Sequence, residues 1–477
     1  MLGRRIAARP STPDRSRART FLAGIVLLLV VAAAVAVTVG QRGGSSAAMG
    51  APSTVTSPPP SPVRATPGVR PLSPAAPAPS AAVLGAALGP LVANPALGTL
   101  TGRVTDTSTG AVLWDSGAQL PQVPASTMKV LTTAAALFTL KLDDRVSTRV
   151  VATDVPGQVV LVGGGDPTLS AQPAGSPTYY PGAPRLDDLV AQVRAVAAPV
   201  TSVLVDTTRW SGPALARGWF SVDVAGGYSA PVEPLMLDGA RRDPLVENSP
   251  RSGTPALDAG RVFAQRLGLE PAAVSAGTAP AGARALAQVR SAPLSTRIEA
   301  MFLTSDNLQA EALGREVALA RGQEPSFAGG AAAVSQTLAE HGVDVSGLAA
   351  QDASGLSVDN RVPARILSDL LVAAAGGGPL SSTLRPLLAW LPVAGATGTL
   401  ADRYGVNGSS GPASRAGAGW VRAKTGTLTG VSSLAGVVTD TDGRVLGFVL
   451  MSSGAPPVDT RPALDAIASL LRSCGCR

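Results

Sequence analysis

Pro124-Ala125-Ser126-Thr127-Met128-Lys129 runs directly into Val130 to Leu140, an apolar stretch rich in Ala, Leu and Thr with no Gly or Pro. Such a composition predicts a buried helix beginning near Ser126. Residues three apart share one helical face, so the Ser126 hydroxyl and the Lys129 amine should be neighbours. A nucleophile then stands beside a candidate base. Alone, S-x-x-K recurs by chance and decides little.

Two further segments change its weight. Ser305-Asp306-Asn307 lies far downstream, and Lys424-Thr425-Gly426-Thr427 lies near the C-terminus. Each has an ordinary explanation by itself: a helix cap for the first, a strand ending in a turn for the second. Composition adds a separate hint. The chain has three lysines, Lys129, Lys141 and Lys424, and every other basic residue except one His is Arg. Two of the three lysines fall inside these segments. An arginine stays protonated in proteins, whereas a buried lysine can lose its proton and act as a base.

S-x-x-K, S-D-N and K-T-G in this order resemble the motifs of serine enzymes that bind penicillin and act on D-alanyl-D-alanine. Lys129 and Ser305 are separated by about 175 residues, far more than class A β-lactamases need. The excess holds Val146 to Ala152, Val159 to Gly163, a helical Leu186 to Val196 and Ser202 to Asp206, a β/α/β-like alternation. An inserted domain over residues 146–250 is expected. A large insert between the first two motifs resembles the class C low-molecular-weight penicillin-binding proteins. Three more stretches resemble that family: Leu161-Val-Gly-Gly-Gly-Asp-Pro-Thr-Leu169; Asp352-Ala-Ser-Gly-Leu-Ser357 with Asn360-Arg361; and Leu391-Pro-Val-Ala-Gly395 with Gly398-Thr-Leu400. Ala353 stands where the family usually has Gly.

The resemblance implies a serine D-Ala-D-Ala carboxypeptidase and endopeptidase working through an acyl-enzyme on Ser126. Lys129 would be the base, Ser305 a proton shuttle, Asn307 an orienting group and Lys424 a second cation. Thr425, Gly426 and Thr427 would line the substrate strand, the backbone N–H groups of Ser126 and Thr427 forming the oxyanion site. Peptidoglycan stem peptides are the implied substrate and β-lactams the implied covalent inhibitors. Trp219, Phe220 and Asp223, with Arg361, could hold the charged ends of a diamino-acid side chain. A packed loop and a surface ion pair would explain the same residues.

The remaining segments fit around this core. Leu100 to Thr105 and Ala111 to Trp114 read as a hairpin; Trp420 to Thr427, Val431 to Thr439 and Arg444 to Ser452 read as three strands, with a helix from Pro462 to Leu471. Both chain ends would then build one five-stranded antiparallel sheet flanked by helices. This is an α/β (α+β) arrangement, the penicillin-recognising serine-hydrolase fold, with residues 83–145 and 251–477 forming the catalytic domain. Ahead of it stand a basic arm (1–20), an uncharged apolar span (21–40) and a disordered Pro/Ser/Ala linker (41–82). The span is long enough for a membrane anchor with the N-terminus in the cytoplasm, and Ala32 to Ala36 leave a cleaved signal peptide open. Either way the catalytic part is expected outside the cytoplasm.

Charge excludes one class. The net charge is +7, yet the first 70 residues carry nine Arg and one Asp, leaving the remainder near −1. A nucleic-acid role has no support. With His341 the sole histidine, a His-rich metal site cannot be assembled, and an enzyme without metal or cofactor is expected. Cys474 and Cys476 at the tail could pair or stay as thiols, outside the inferred fold. A β-lactamase and an inactive wall-binding scaffold are the competing functions; no E-x-x-L-N segment supplies the deacylating Glu of class A enzymes.

Overall fold

The computed structural model describes residues 75–197 and 199–475. The expected basic arm, anchor and most of the linker therefore lie outside the described residues. Among the described residues no helix is long and apolar enough to cross a membrane. The last part of the expected linker belongs to the fold instead. Ala76 is buried, and its carbonyl accepts a bond from Arg444 at 3.1 Å.

In chain order, α1 (Ala81–Val92) precedes the hairpin of β1 (Thr99–Asp106) and β2 (Val112–Ser116), then β3 (Pro121–Gln122) and α2 (Met128–Thr139). Next come β4 (Ser147–Ala152), β5 (Gln158–Val162), α3 (Leu186–Val196), β6 (Ser202–Asp206), α4 (Pro255–Leu267), β7 (Val274–Ala276) and β8 (Ala285–Arg290). Four helices follow, with a short strand among them: α5 (Leu294–Thr304), α6 (Asn307–Ala320), α7 (Phe327–Glu340), β9 (Val362–Pro363) and α8 (Ala364–Ala375). The chain closes with α9 (Ser381–Trp390), β10 (Val421–Leu428), β11 (Val431–Thr439), β12 (Val445–Ser453) and α10 (Pro457–Ser473).

The main sheet has the order β10-β11-β12-β1-β2 and is antiparallel throughout. It is built from the two chain ends, as the sequence predicts. Asp106 closes the first hairpin by accepting from Ser108 N–H and Thr109 Oγ1. The same carboxylate pairs with Arg444 at 2.5 Å, tying the first strand to the start of the last. Apolar side chains leave both faces of β11 and β12. Ala435, Val449 and Met451 join the core of α2 and α8; Leu434, Phe448 and Leu450 join that of α1 and α10. A sheet covered on both faces explains why these strands are almost continuously buried. Helix α2 is buried on every side from Met128 to Leu137, which removes Lys129 from water.

The second sheet, β7-β6-β5-β4-β8, is mixed. Strands β5 and β6 are parallel, joined through α3 as the alternation predicts. Strand β4 pairs with β8 from Ser147↔Arg290 onward, so this sheet takes in a strand beyond residue 250, where the insert is expected to end. An interior strand needs a partner on each side, and the chain supplies this one only at residues 285–290. The Ala-containing β8 has weak strand propensity, so its sequence gives little warning.

His341 ends α7, and its ring stacks on Phe138 at 4.0 Å. Cys474 is disulfide-bonded and buried within the core beneath α10, so it lies inside the fold rather than beyond it. Cys476 lies outside the described residues.

Candidate active site

Ser126 stands in a tight 3-10 turn, Ala125–Thr127, and the α-helix proper starts two residues later at Met128. Ala125 takes a left-handed φ of 48°, a conformation costly for a residue with a Cβ. Neighbours hold it there. Thr127 Oγ1 and Ser433 Oγ both donate to the Pro124 carbonyl at 2.7 Å. Gly355, with φ +85°, lies so close that a Cβ on it would stand 1.9 Å from the Ala125 carbonyl oxygen.

Lys129 has no exposed surface. Its Nζ lies 3.0 Å from Ser126 Oγ, 2.7 Å from Asn307 Oδ1 and 2.8 Å from the Ser354 carbonyl. Burial lowers its pKa to about 8, although Asp352, Asp306 and Glu311 favour the ammonium. Lys424, also fully buried, reaches Ser305 Oγ at 2.8 Å and the Thr425 carbonyl at 2.9 Å. Burial, and then the charge of Lys129, push its pKa well below the usual lysine value. Lys141, by contrast, is exposed.

The S-D-N segment is the break between α5 and α6. Ser305 ends α5 in a left-handed conformation, φ 58°. Asp306 caps α6 by accepting from Gln309 N–H at 3.0 Å. It also accepts from Tyr180 Oη at 2.8 Å and lies 3.4 Å from Arg241. Burial raises the Asp306 pKa, but Arg241 and Arg251 outweigh it and hold the carboxyl below its usual value. Asn307 opens α6, and its Nδ2 donates to the Tyr228 carbonyl at 2.9 Å. The three segments thus meet in one network, Ser126–Lys129–Asn307 beside Ser305–Lys424.

Residues 84–253 and 245–474 match the model of the D-Ala-D-Ala carboxypeptidase 3 (S13) family. The chain belongs to that family. Carboxypeptidase DacB of Mycolicibacterium smegmatis is 51% identical over 423 residues, covering 88% of this chain and 90% of that protein. A D-alanyl-D-alanine carboxypeptidase from an Actinomadura species is 32% identical over 473 residues, covering 79% of this chain and 82% of its own. The crystal structure of penicillin binding protein 4 (dacB) from Haemophilus influenzae covers 82% of this chain and 98% of its own, with a TM-score of 0.65 at 21% identity. That last likeness is one of fold.

In this S13 enzyme β10 runs along the turn that bears Ser126. Thr425 Oγ1 is 2.7 Å from Thr399 Oγ1, and Thr427 Oγ1 accepts from Arg461 Nη2 at 3.1 Å. Gly426 faces inward, where a Cβ would come within 2.1 Å of Ser433 Oγ and 2.8 Å of the Pro124 carbonyl. Its missing side chain lets β10 and the turn approach each other. Trp219 Nε1 donates to Asp352 Oδ2 at 2.8 Å, and its ring meets Phe327 edge-on at 5.2 Å. Asp223 closes its own turn, accepting from Phe220 N–H at 3.3 Å. Arg361 Nη1 donates to the Val358 and Asn360 carbonyls, both at 2.8 Å. The structure brings Trp219 onto the loop that holds Lys129, but gives Asp223 and Arg361 local partners instead of each other.

Sequence patterns missed several supports. Glu311 lies one helical turn after Asn307 on α6, a spacing that places both on one face. Its Oε1 accepts from Ala353 and Ser354 N–H at 3.0 and 2.8 Å, fixing the carbonyl that Lys129 bonds. Burial and the Asp352 charge raise Glu311 to about 7, against the pull of Arg315. Asp352 accepts from Gly355 and Ser357 N–H and from Asn360 Nδ2. The i, i+4 spacing was the available signal for Glu311. The carbonyls of Ser354 and Tyr228 leave none, since any residue supplies one.

Proposed function

We propose that this S13 D-Ala-D-Ala carboxypeptidase removes the terminal D-Ala from peptidoglycan stem peptides through an acyl-enzyme on Ser126. The reading rests on one observation above all: Ser126 Oγ is 3.0 Å from a fully buried lysine whose pKa lies near 8. Neutral Lys129 takes the hydroxyl proton as Oγ attacks the carbonyl of the penultimate D-Ala. The N–H groups of Ser126 and Thr427 receive the developing oxyanion. Asn307 fixes the Lys129 amine. Ser305, bonded to Lys424, delivers a proton to the leaving amine as the C–N bond breaks. Water then hydrolyses the ester. The hydroxyls of Thr425 and Thr427 hold the carboxylate of the leaving residue, and the Trp219 loop borders the cleft on the stem side.

The same acylation by a β-lactam leaves no amine to depart, because the opened ring stays tethered. A long-lived adduct on Ser126 is expected. Residues 21–40 anchor the protein, with catalysis outside the cytoplasm. Mass spectrometry of muropeptides incubated with the full-length protein should record loss of one D-Ala from pentapeptides, and none with Ser126→Ala. Intact pentapeptides together with no penicillin adduct on the wild-type protein would overturn the reading.

A further inference from the structure

Helix α6 holds Lys129 by two arms, and only the first belongs to a motif. Asn307 Oδ1 accepts directly from Lys129 Nζ at 2.7 Å. Glu311, one turn later on the same face, acts through a loop. Its Oε1 accepts from the N–H groups of Ala353 and Ser354 at 3.0 and 2.8 Å. The carbonyls of those two residues serve α2. That of Ala353 accepts from Thr132 Oγ1 at 2.7 Å, and that of Ser354 accepts from Lys129 Nζ at 2.8 Å. One carboxylate oxygen thus fixes two consecutive residues that clasp the helix carrying Lys129.

The loop lies close against α6 at this point. Gly314 faces Ala353, and a Cβ on the glycine would stand 2.6 Å from the Ala353 methyl. Glu311 is buried, and its other oxygen meets Arg315 at 3.4 Å with both side chains enclosed. Helix α7 presents no charge to this pair, only the Phe327 ring, 4.1 Å from the Arg315 guanidinium. The remaining charges are Asp352 in the loop, Asp306 at the head of α6 and Lys129 on α2, with Lys424 beyond it. A neutral amide oxygen could accept the same two N–H bonds. What a glutamate adds is negative charge, taken out of water beside the lysine. That charge favours the ammonium form of Lys129. Burial, and then Asp352, raise the Glu311 carboxyl to about 7, so it is ionised where Lys129 exchanges its proton.

We propose that Glu311 is a positioning residue for acylation, holding the Ser354 carbonyl against Lys129 and setting, through its charge, the pH at which the amine accepts the Ser126 proton. The proposal rests on the reading of Lys129 as the base. Glu311 touches neither substrate nor Ser126; it acts on the geometry and the charge state of the group that does.

The test is the second-order rate of labelling by a fluorescent penicillin, followed against pH on the full-length protein. Glu311→Gln keeps an oxygen for both N–H groups and removes the charge. Its limb should move to lower pH by about one unit, the order of effect of one neighbouring charge, with the high-pH plateau kept. Glu311→Asp keeps the charge but falls one methylene short of the loop. Its midpoint should stay with the wild type while the plateau drops about 10- to 100-fold, as for a misplaced catalytic group. A residue that merely supports the fold would lower Tm and leave the midpoint of the Gln variant unmoved. A Gln variant with the wild-type midpoint, or an Asp variant with the wild-type plateau, overturns the proposal. Should Gln leave Arg315 too poorly paired for folding, the Asp plateau alone decides. A wild-type profile without a limb near pH 8 would instead remove Lys129 as the base, and the role of Glu311 with it.

Discussion

An exposed lysine keeps its proton to about pH 10.5; Lys129, held against Asn307 and Ser354 without contact with water, releases it near pH 8. The sign of the pH dependence follows. Below pH 8 the ammonium dominates and cannot take a proton from Ser126; at pH 7 about one tenth of the amine is neutral for a pKa of 8. The second-order rate of labelling by a fluorescent penicillin should therefore rise with pH along a single-proton limb centred near 8. Lys129→Arg keeps the charge but removes the neutral form. It should cut labelling by roughly 10²–10⁴-fold, while Lys141→Arg, on an exposed site, labels normally. A folded Lys129→Arg protein that acylates at the wild-type rate would exclude Lys129 as the base and point to Ser305.

Three elements converge on the turn bearing Ser126, and two of them do so through glycine. The Gly355 loop abuts the Ala125 carbonyl, and Gly426 lets β10 close on Pro124. Gly355→Ala adds a Cβ against a backbone oxygen and forces φ +85° on an L-residue. The expected result is a loss of more than about 2 kcal/mol in chemical denaturation, with penicillin labelling largely abolished. Gly253→Ala, whose Cβ would meet nothing within 4 Å, is the matched control; equal behaviour of the two would refute the packing argument. The same convergence marks the limit of what the sequence reveals. Ser126, Lys129, Asn307 and Lys424 are legible because side-chain chemistry restricts the residue type at each. Gly355 acts by lacking a side chain, and the Ser354 carbonyl acts through a group every residue has. Elements behave alike: amphipathic α3 and β-branched β6 coincide with their predicted spans, while β8, two of its six residues alanine, goes unseen.

The segment between β5 and α4 and the helices that meet at Ser305 share the Asp306 network. Tyr180 and Arg241, both between β5 and α4, reach across to the carboxylate that caps α6 and thereby steady Ser305 and Asn307. Arg241→Met removes the cation from a buried acid. Breaking such a pair costs about 3–5 kcal/mol, so Tm should fall and labelling should weaken together, with Arg241→Lys restoring part of both. Wild-type stability in Arg241→Met would show that Arg241 does not brace the site. At the largest scale, the sheet joins Thr99 to Ser453, and pairings so distant in sequence form slowly. A growing chain exposes Ser126 and Lys129 long before Lys424 exists. At 5–20 residues per second, the stretch from Ser126 to the end of β12 takes on the order of tens of seconds to synthesise. Until the last part of that interval Ser126 lacks β10, β11 and the strand that positions them. In the proposed reading the protein hydrolyses wall peptides, and its chain topology brings together the residues proposed for that chemistry only when synthesis is nearly complete.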